Sequence, residues 1–396
     1  MRKKGLKDVD VREKRVLVRV DFNVPLSPDG DILDDFRIKA EIPTINYLRE
    51  NNAKVILMSH LGRPKGKAVK KLRMDPIAKE LSKLLGIPVK KLDACIGEEV
   101  EKAITDADYG DVILLENLRF HRGEVENDNE FAKKLSLLAD LYVNDAFAAA
   151  HRVAASNVGV TAFLPSVAGF LMEKEIIVLS KLLYAPEHPF VGILGGAKVS
   201  DKIGVINNLM NTVDEFFIGG GMSFTFLRAN GYDIGYSLCE EDAISTARQI
   251  LENAKKSGVK ITLPADVLSV PEVKENSPAH IVDIEDIPRD GIGVDIGPKT
   301  VKIFEKRIQD AKTIVWNGPL GVFEIEAFAK GTYEMARFLG TLKNKTIVAG
   351  GGETAATLQK FGVDKQISHV STGGGAFLKF LEGHSLPAIE AIEDQN

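Results

Sequence analysis

Arginine, histidine and acidic side chains gather at four places in the first half of the sequence, each time directly after a short apolar run. The four endings are Arg19-Val20-Asp21-Phe22-Asn23, Ser59-His60-Leu61-Gly62-Arg63, Glu116-Asn117-Leu118-Arg119-Phe120-His121, and Asn144-Asp145-Ala146-Phe147 followed by His151-Arg152. A guanidinium offers a planar fork that matches carboxylate and phosphate oxygens. Such cations repel one another unless an anion sits among them, so the expected guest is small, compact and multiply negative. Arg37 opens a helix-like segment. Its charge there opposes the helix dipole, which favours a functional use.

The second half ends its apolar runs in glycines instead: Gly195-Gly196-Ala197-Lys198, Gly219-Gly220-Gly221, Gly318-Pro319-Leu320-Gly321, Gly350-Gly351-Gly352 and Gly373-Gly374-Gly375. Tight strand–helix packing explains any one of them. Five on one sheet favour a nucleotide, because glycine lets backbone amides approach phosphate closely. Lys198 and Lys202, at i and i+4, put two ammonium groups on one helix face. Glu324, after Trp316-Asn317-Gly318-Pro319, offers acceptors for ribose hydroxyls or is simply a surface acid.

What must hold these residues is a pair of parallel sheets. Short β-branched runs alternate with helix-period segments, the pattern of βαβ units. Strands are expected at 15–20, 54–58, 111–115 and 140–143, then at 190–194, 215–218, 260–263, 313–316, 346–349 and 368–370. Helices are expected at 37–50 and 76–85 between the first of them. The segment 166–184, entered after Pro165 and closed before Pro186, reads as a connecting helix. The fold class is α/β: two doubly wound, Rossmann-like parallel-sheet domains, 1–165 and 185–375, joined by that helix and followed by a segment 376–396. In such sheets ligands collect beyond the carboxyl ends of the strands.

Composition narrows the partners. With 396 residues, 44% hydrophobic and 27% charged, the chain reads as a soluble protein of more than one domain. A net charge of −5 argues against nucleic acid. No signal peptide and no apolar stretch of about 18 residues suggests export or membrane insertion. Cys95 and Cys239 lack metal-type spacing and are expected to be small buried residues in a reducing, cytoplasmic setting. Glycine and arginine divide the halves: 10 of 35 glycines precede residue 185, whereas 11 of 16 arginines lie at or before Arg152. The first half therefore suits side-chain capture of an anion, and the second suits backbone capture of phosphates. The run from Gly62 to Ala68 falls one residue short of a Walker A loop, and Gly291–Gly297 misses dinucleotide spacing by one.

Together these endings resemble the phosphoglycerate kinase family. The motifs RVDFNVP (Arg19–Pro25), SHLGRP (Ser59–Pro64), LLENLRF (Leu114–Phe120), NDAF (Asn144–Phe147), GGAKVSDKIG (Gly195–Gly204), VWNGPLGVFE (Val315–Glu324) and STGGGA (Ser371–Ala376) follow in family order. The likeness runs from about Val9 to Pro387. It implies a monomer that reversibly passes the γ-phosphate of Mg-ATP to the carboxylate of 3-phosphoglycerate. It also implies that the final segment, 376–396, returns to the N-terminal domain. Matching positions for the acid are Asp21, Phe22, Asn23, Arg37, His60, Leu61, Gly62, Arg63, Arg119 and Arg152. Those for the nucleotide are Lys198, Lys202, Gly293, Asn317, Glu324, Gly350, Gly351, Gly352, Glu353 and Thr354, with Glu353 at Mg²⁺. Arg37 and Lys198 match the catalytic cations that stabilise the phosphoryl group in flight.

Two positions depart from the family pattern: Glu353 stands where Asp is usual, and Ala154 where a second His is common. A carboxylate acceptor is ionised at neutral pH, so no general base is required. The work left to the protein is positioning and charge compensation on closure of the two domains. A non-catalytic nucleotide- or anion-binding protein on the same scaffold, or a dinucleotide-dependent dehydrogenase, are the other readings.

Overall fold

The structure, a computed structural model, describes residues 3–395. It divides into two compact units: the chain up to Ile177 together with Ser385 onward, and Val178–His384.

The first unit is built on β1 (Arg15–Arg19), β2 (Lys54–Met58), β3 (Val89–Lys91), β4 (Val112–Leu114), β5 (Leu141–Asn144) and β6 (Ser166–Ala168). They form one parallel sheet in the order β3-β4-β2-β1-β5-β6. Its helices are α1 (Phe36–Glu50), α2 (Asp75–Leu85), α3 (Glu98–Thr105), α4 (Arg122–Val125), α5 (Asn129–Ser136) and α6 (Phe170–Tyr184), the last running on into the second unit. Strand alternation separates two cores. Val16, Val18, Val55, Leu57, Val112, Leu114 and Val143 pack on one face. Leu17, Ile56, Met58, Ile113 and Tyr142 pack on the other. Because both faces are covered, the strands read as continuous apolar runs. Each fully buried aliphatic side chain contributes about 1.5–3 kcal/mol. The chain reverses direction across the sheet between β1 and β5, the switch point at which a crevice opens.

The second unit repeats the scheme with β7 (Phe190–Leu194), β8 (Glu215–Ile218), β9 (Lys260–Thr262), β10 (Asp266–Val270), β11 (His280–Asp283), β12 (Ile292–Ile296), β13 (Thr313–Asn317), β14 (Thr346–Gly350) and β15 (His369–Val370). Six of them form a parallel sheet, β15-β14-β13-β7-β8-β9, with its switch point between β7 and β13. The helices are α7 (Ile203–Leu209), α8 (Gly220–Ala229), α9 (Ile244–Ser257), α10 (Pro298–Ile308), α11 (Lys330–Thr341), α12 (Gly352–Lys360) and α13 (Gly374–Leu381). A final short helix, α14 (Pro387–Glu390), belongs to the first unit.

Several expectations change. Residues 166–168 are the edge strand β6, so the connecting helix starts only at Phe170. The segment that rejoins the first unit begins at Ser385, not Ala376, because 374–381 form α13, which packs on α7. Strands β10, β11 and β12 make a separate antiparallel sheet that the periodicity did not suggest. The run Gly291–Gly297 is mostly β12 of that sheet and not a phosphate turn. Cys95 is buried, but Cys239 is only partly so. No described helix is long and apolar enough to cross a membrane.

Candidate active site

At the carboxyl edge of the first sheet, four arginines surround one histidine. Arg19, at the end of β1, is 2% exposed and donates from Nε to Ser156 Oγ at 2.8 Å. Its Nη2 lies 3.1 Å from Nδ1 of His60, itself 4% exposed. Burial pushes the His60 pKa well down, and the charges of Arg19, Arg119, Arg152 and Arg37 push the same way. The ring is therefore neutral. Arg119 is depressed to about 10 by burial and by the charges of Arg152 and Arg19. Asp21 and Glu124 offset part of this repulsion, and an anionic ligand among the arginines would offset more.

Backbone and buried polar groups fix the rim. Asn117, fully buried after β4, donates from Nδ2 to the carbonyls of Leu61 and Leu72, both at 2.8 Å. Its Oδ1 accepts from the amides of Leu61 (3.2 Å) and Arg119 (3.1 Å). One side chain thereby joins the β2 loop to the Arg119 turn. Arg119 Nη1 donates to the Gly62 carbonyl at 2.7 Å, and the Gly62 amide donates to Asn23 Oδ1 at 2.8 Å. Arg37, in the first turn of α1, donates to Asp21 Oδ2 at 2.9 Å and to the Asn23 carbonyl at 3.1 Å. A cavity of about 200 Å³ is lined by Arg19, Arg119, Arg152, Ala154 and Glu124 among others. Glu124 is buried and accepts from Ser156 Oγ at 2.7 Å, so it anchors the hydroxyl that holds Arg19.

The expected residues do not all present side chains there. Phe22 and Leu61 are fully or almost fully buried in the apolar core, leaving only their backbone near the rim. His121 stacks on Phe131 with ring centroids 4.8 Å apart, so it does not join His60. Arg63 is exposed and has no hydrogen bond or ion pair among the described residues. Arg19 and Asn117 stand in the quoted strand endings but not among the expected binding positions, and Glu124 stands in neither. A charged residue inside an apolar strand, as Arg19 is, was the available signal.

In the second unit the glycine turns interlock. The Gly195 amide donates to the Asn317 carbonyl at 2.9 Å and the Gly196 amide to the Pro319 carbonyl at 2.8 Å. A Cβ on Gly195 would lie 2.1 Å from the Pro319 oxygen, and one on Gly318 (φ +93°) 2.2 Å from the Gly195 oxygen. Only glycine allows β7 and β13 to end this close together. Trp316, fully buried, donates its indole N–H to the Gly318 carbonyl at 2.8 Å and fixes that turn. Lys202 donates to Asn317 Oδ1, and Asn317 Nδ2 to the Gly350 carbonyl at 2.6 Å. The Gly318 amide donates to Thr354 Oγ1 at 2.7 Å. These bonds tie the ends of β13 and β14 to Lys202.

Lys198 and Lys202 do not share a helix face. Residues 195–202 are an irregular turn, and Lys202 is the N-cap residue of α7. Lys198 is exposed, whereas Lys202 is 8% exposed, with its pKa lowered by burial against the raising charges of Asp201, Glu353 and Glu382. A cavity of about 300 Å³ lies beside them, with Gly293, Glu324 and Glu353 among its lining residues. Its walls include Phe224, Leu238, Ile292 and Val322, apolar surfaces suited to a flat base. The Gly293 amide donates to Ser237 Oγ at 2.9 Å, and a Cβ there would strike Phe224 at 2.0 Å.

The α12 and α13 N-termini adjoin: a Cβ on Gly374 would sit 3.2 Å from the Gly352 amide nitrogen, while one on Gly352 would meet nothing within 4 Å. Their unpaired amides suit anionic oxygens. Glu353 is exposed in the first turn of α12. Among the described residues no group of three His, Cys, Asp or Glu could hold a metal ion. A lone carboxylate fits Mg²⁺, which usually binds through one or two carboxylates together with substrate phosphates.

The family profile described as phosphoglycerate kinase matches residues 6–384. Curated proteins named phosphoglycerate kinase are similar along the whole chain. One from Dictyoglomus turgidum is 57% identical over 390 residues, 98% of each chain. Another from Pseudothermotoga lettingae is 53% identical over 396 residues, 100% of each. Among solved structures, a phosphoglycerate kinase from Coxiella burnetii matches with a TM-score of 0.88 at 41% identity, covering 98% of each chain. One from Pyrococcus horikoshii OT3 matches at 0.87 and 35%, with the same coverage. The arginine-lined edge of one sheet and the interlocked glycine turns of the other are thus features of a chain that belongs to the phosphoglycerate kinase family.

Proposed function

We propose a division of labour for the reaction this family membership brings, ATP-dependent phosphoryl transfer with 3-phosphoglycerate. The first unit binds the acid and the second binds ATP or ADP. The observation that carries the first half is the convergence of Arg19, Arg37, Arg119 and Arg152 about a neutral His60. Arg63, Arg119 and Arg152 take the phosphate and Asp21, Asn23 and Arg37 the glycerate end. His60, uncharged, donates or accepts a hydrogen bond without adding repulsion.

The acceptor carboxylate is already an anion at neutral pH, so the attacking oxygen needs no proton removed. Arg37, aimed by its bonds to Asp21 and Asn23, offsets charge on the transferring group from the acceptor side. Lys198, exposed beside the nucleotide cavity, does so from the donor side. Lys202 and Asn317 hold the glycine turns that receive the nucleotide phosphates. Glu324 meets the ribose, and Gly293 lets the base lie against β12. Glu353 is the residue that would hold Mg²⁺; when bound, the ion neutralises charge on the nucleotide phosphates. The two ligands must meet for transfer, so turnover includes an approach of the units that also excludes water. The chain acts as a cytoplasmic monomer.

The deciding experiment is coupled turnover with ATP and 3-phosphoglycerate, with and without Mg²⁺, in the wild type and in Arg37→Ala and Lys198→Ala. ADP formation that needs both substrates and collapses in the two variants is expected. Undiminished turnover in either variant refutes its assigned role.

A further inference from the structure

Beneath the arginine rim lie two carboxyl groups with no direct part in the reaction above. Glu41 in α1 is 1% exposed, and Asp145, just after β5, is fully buried. They lie within hydrogen-bonding reach of one another. One oxygen of each, Glu41 Oε2 and Asp145 Oδ2, has no partner among the protein's donors. The other oxygens are engaged. Glu41 Oε1 accepts from the Asp21 amide at 2.9 Å. Asp145 Oδ1 accepts from the Met172 amide at 2.9 Å, and the Leu171 amide and Thr44 hydroxyl also serve this carboxylate. Thr44 Oγ1 in turn accepts from the Phe170 amide at 3.0 Å. Room for the Asp145 carboxyl exists only because residue 169 is glycine, where a Cβ would stand 2.3 Å from Asp145 Cγ.

Two adjacent buried carboxylates cannot both stay charged without a large electrostatic cost. A single proton shared by the two carboxyl groups removes that cost. We propose that Glu41 and Asp145 form an acid–carboxylate pair, Glu41 carrying the proton, that acts as a positioning device for Asp21 and hence Arg37. Burial raises the Asp145 pKa as well, but hydrogen bonds from Glu41, Thr44 and the first amides of α6 oppose it, and the helix N-terminus stabilises negative charge there, so Asp145 is the anion. Glu41 faces one amide only. Burial and the neighbouring Asp145 both favour its protonated form. The chain of contacts then runs from the first turn of α6 through Asp145 and Glu41 to the Asp21 amide. The Asp21 carboxylate completes it by holding Arg37. Asp21 is fixed from behind by a neutral group, so its own charge remains available to Arg37.

The role of Arg37 rests on the function proposed above, and the test separates the two. Glu41→Gln keeps an oxygen for the Asp21 amide and offers an N–H to Asp145, so kcat and both KM values should stay near wild type. Glu41→Leu fills the space but makes neither bond. Its kcat should fall by roughly tenfold to a hundredfold, the scale of a 1 Å misplacement, with the nucleotide KM unchanged. Equal impairment of Glu41→Gln and Glu41→Leu, or wild-type kinetics in Glu41→Leu, overturns the inference. Infrared difference spectra read the proton directly, even if Glu41→Leu fails to fold. At neutral pH wild type should show a protonated-carboxyl band that Glu41→Gln lacks; the Asp295 carboxyl, raised to about 7, is common to both and cancels in the difference. Persistence of that band in Glu41→Gln overturns the pair. Undiminished turnover in Arg37→Ala, with the band behaving as expected, overturns the role of Arg37 and leaves the pair intact.

Discussion

Arg37 and Asp21 are paired across the rim of the first sheet, guanidinium Nη1 to carboxylate Oδ2 at 2.9 Å, with the Asn23 carbonyl 3.1 Å from the same nitrogen. An arginine held on two sides before substrate arrives loses little freedom when it engages the transition state. Arg37→Ala should lower kcat by about 10²–10³, the range for loss of one preorganised donor. Arg63, exposed and unattached, should behave differently. Arg63→Ala should raise KM for 3-phosphoglycerate with kcat little changed, the signature of lost uniform binding. Steady-state kinetics with each substrate varied checks both.

Lys198 and Lys202 should separate in the same manner. Lys198→Ala should reduce kcat by orders of magnitude while nucleotide KM is largely kept. Lys202 is buried on Asn317, so Lys202→Met leaves Asn317 Oδ1 without its donor. It should cost about 1–3 kcal/mol of stability and weaken nucleotide binding. Thermal unfolding and calorimetric titration with ADP would reveal the difference.

Glu353 stands alone at the proposed metal position. Glu353→Asp should leave turnover supported by Mg²⁺ and shift the half-saturating concentration modestly. Glu353→Ala should raise that concentration by about tenfold or more, some 1.4 kcal/mol per decade. An Mg²⁺ titration of kcat at fixed ATP measures both, and an unchanged midpoint in Glu353→Ala would remove the residue from the site.

Asp295 in β12 accepts from the Gly331 amide at 2.6 Å and the Thr332 hydroxyl at 2.8 Å, yet burial raises its pKa from 3.8 to about 7. Between those values the folded chain binds a proton that the unfolded chain has lost, so this group's contribution is greatest below pH 4 and declines toward pH 7. The whole effect is about 4 kcal/mol. Asp295→Asn should therefore lose most stability, relative to wild type, at pH 4–5, with the difference narrowing by pH 8. Melting temperatures of the pair across that range test it.

The parallel sheets were legible because their strands are apolar on both faces, as Val16–Val18 and Ile314–Trp316 are. Strand β3, only Val89–Lys91 and partly exposed, carries too little pattern to be distinguished from a loop. Strands β11 and β12 were hidden by exposed His280–Ile281 and by the glycine inside Ile292-Gly293-Val294. Arg119 and Arg152 were visible because each lies in the polar stretch after a strand, and Arg37 because it opens a helix, whereas Arg19 lies inside β1. What spacing could not convey was depth. Lys198 and Lys202 look equivalent at i and i+4, but an irregular turn exposes one and buries the other. Glu41 and Asp145 are 104 residues apart in sequence, and only the fold makes them neighbours.

The return of Ser385–Asp394 to the first unit has a bearing on synthesis. Lys3 bridges Asp394, the Lys4 amide donates to the Glu393 carbonyl at 2.9 Å, and the Ala388 amide donates to the Ala150 carbonyl at 3.1 Å. In connectivity, Val178–His384 is therefore an insertion within the other unit. A nascent chain leaving the ribosome can finish this inserted piece while its host still lacks its closing residues. The unit begun first thus gains its last residues only after Val178–His384 has been made.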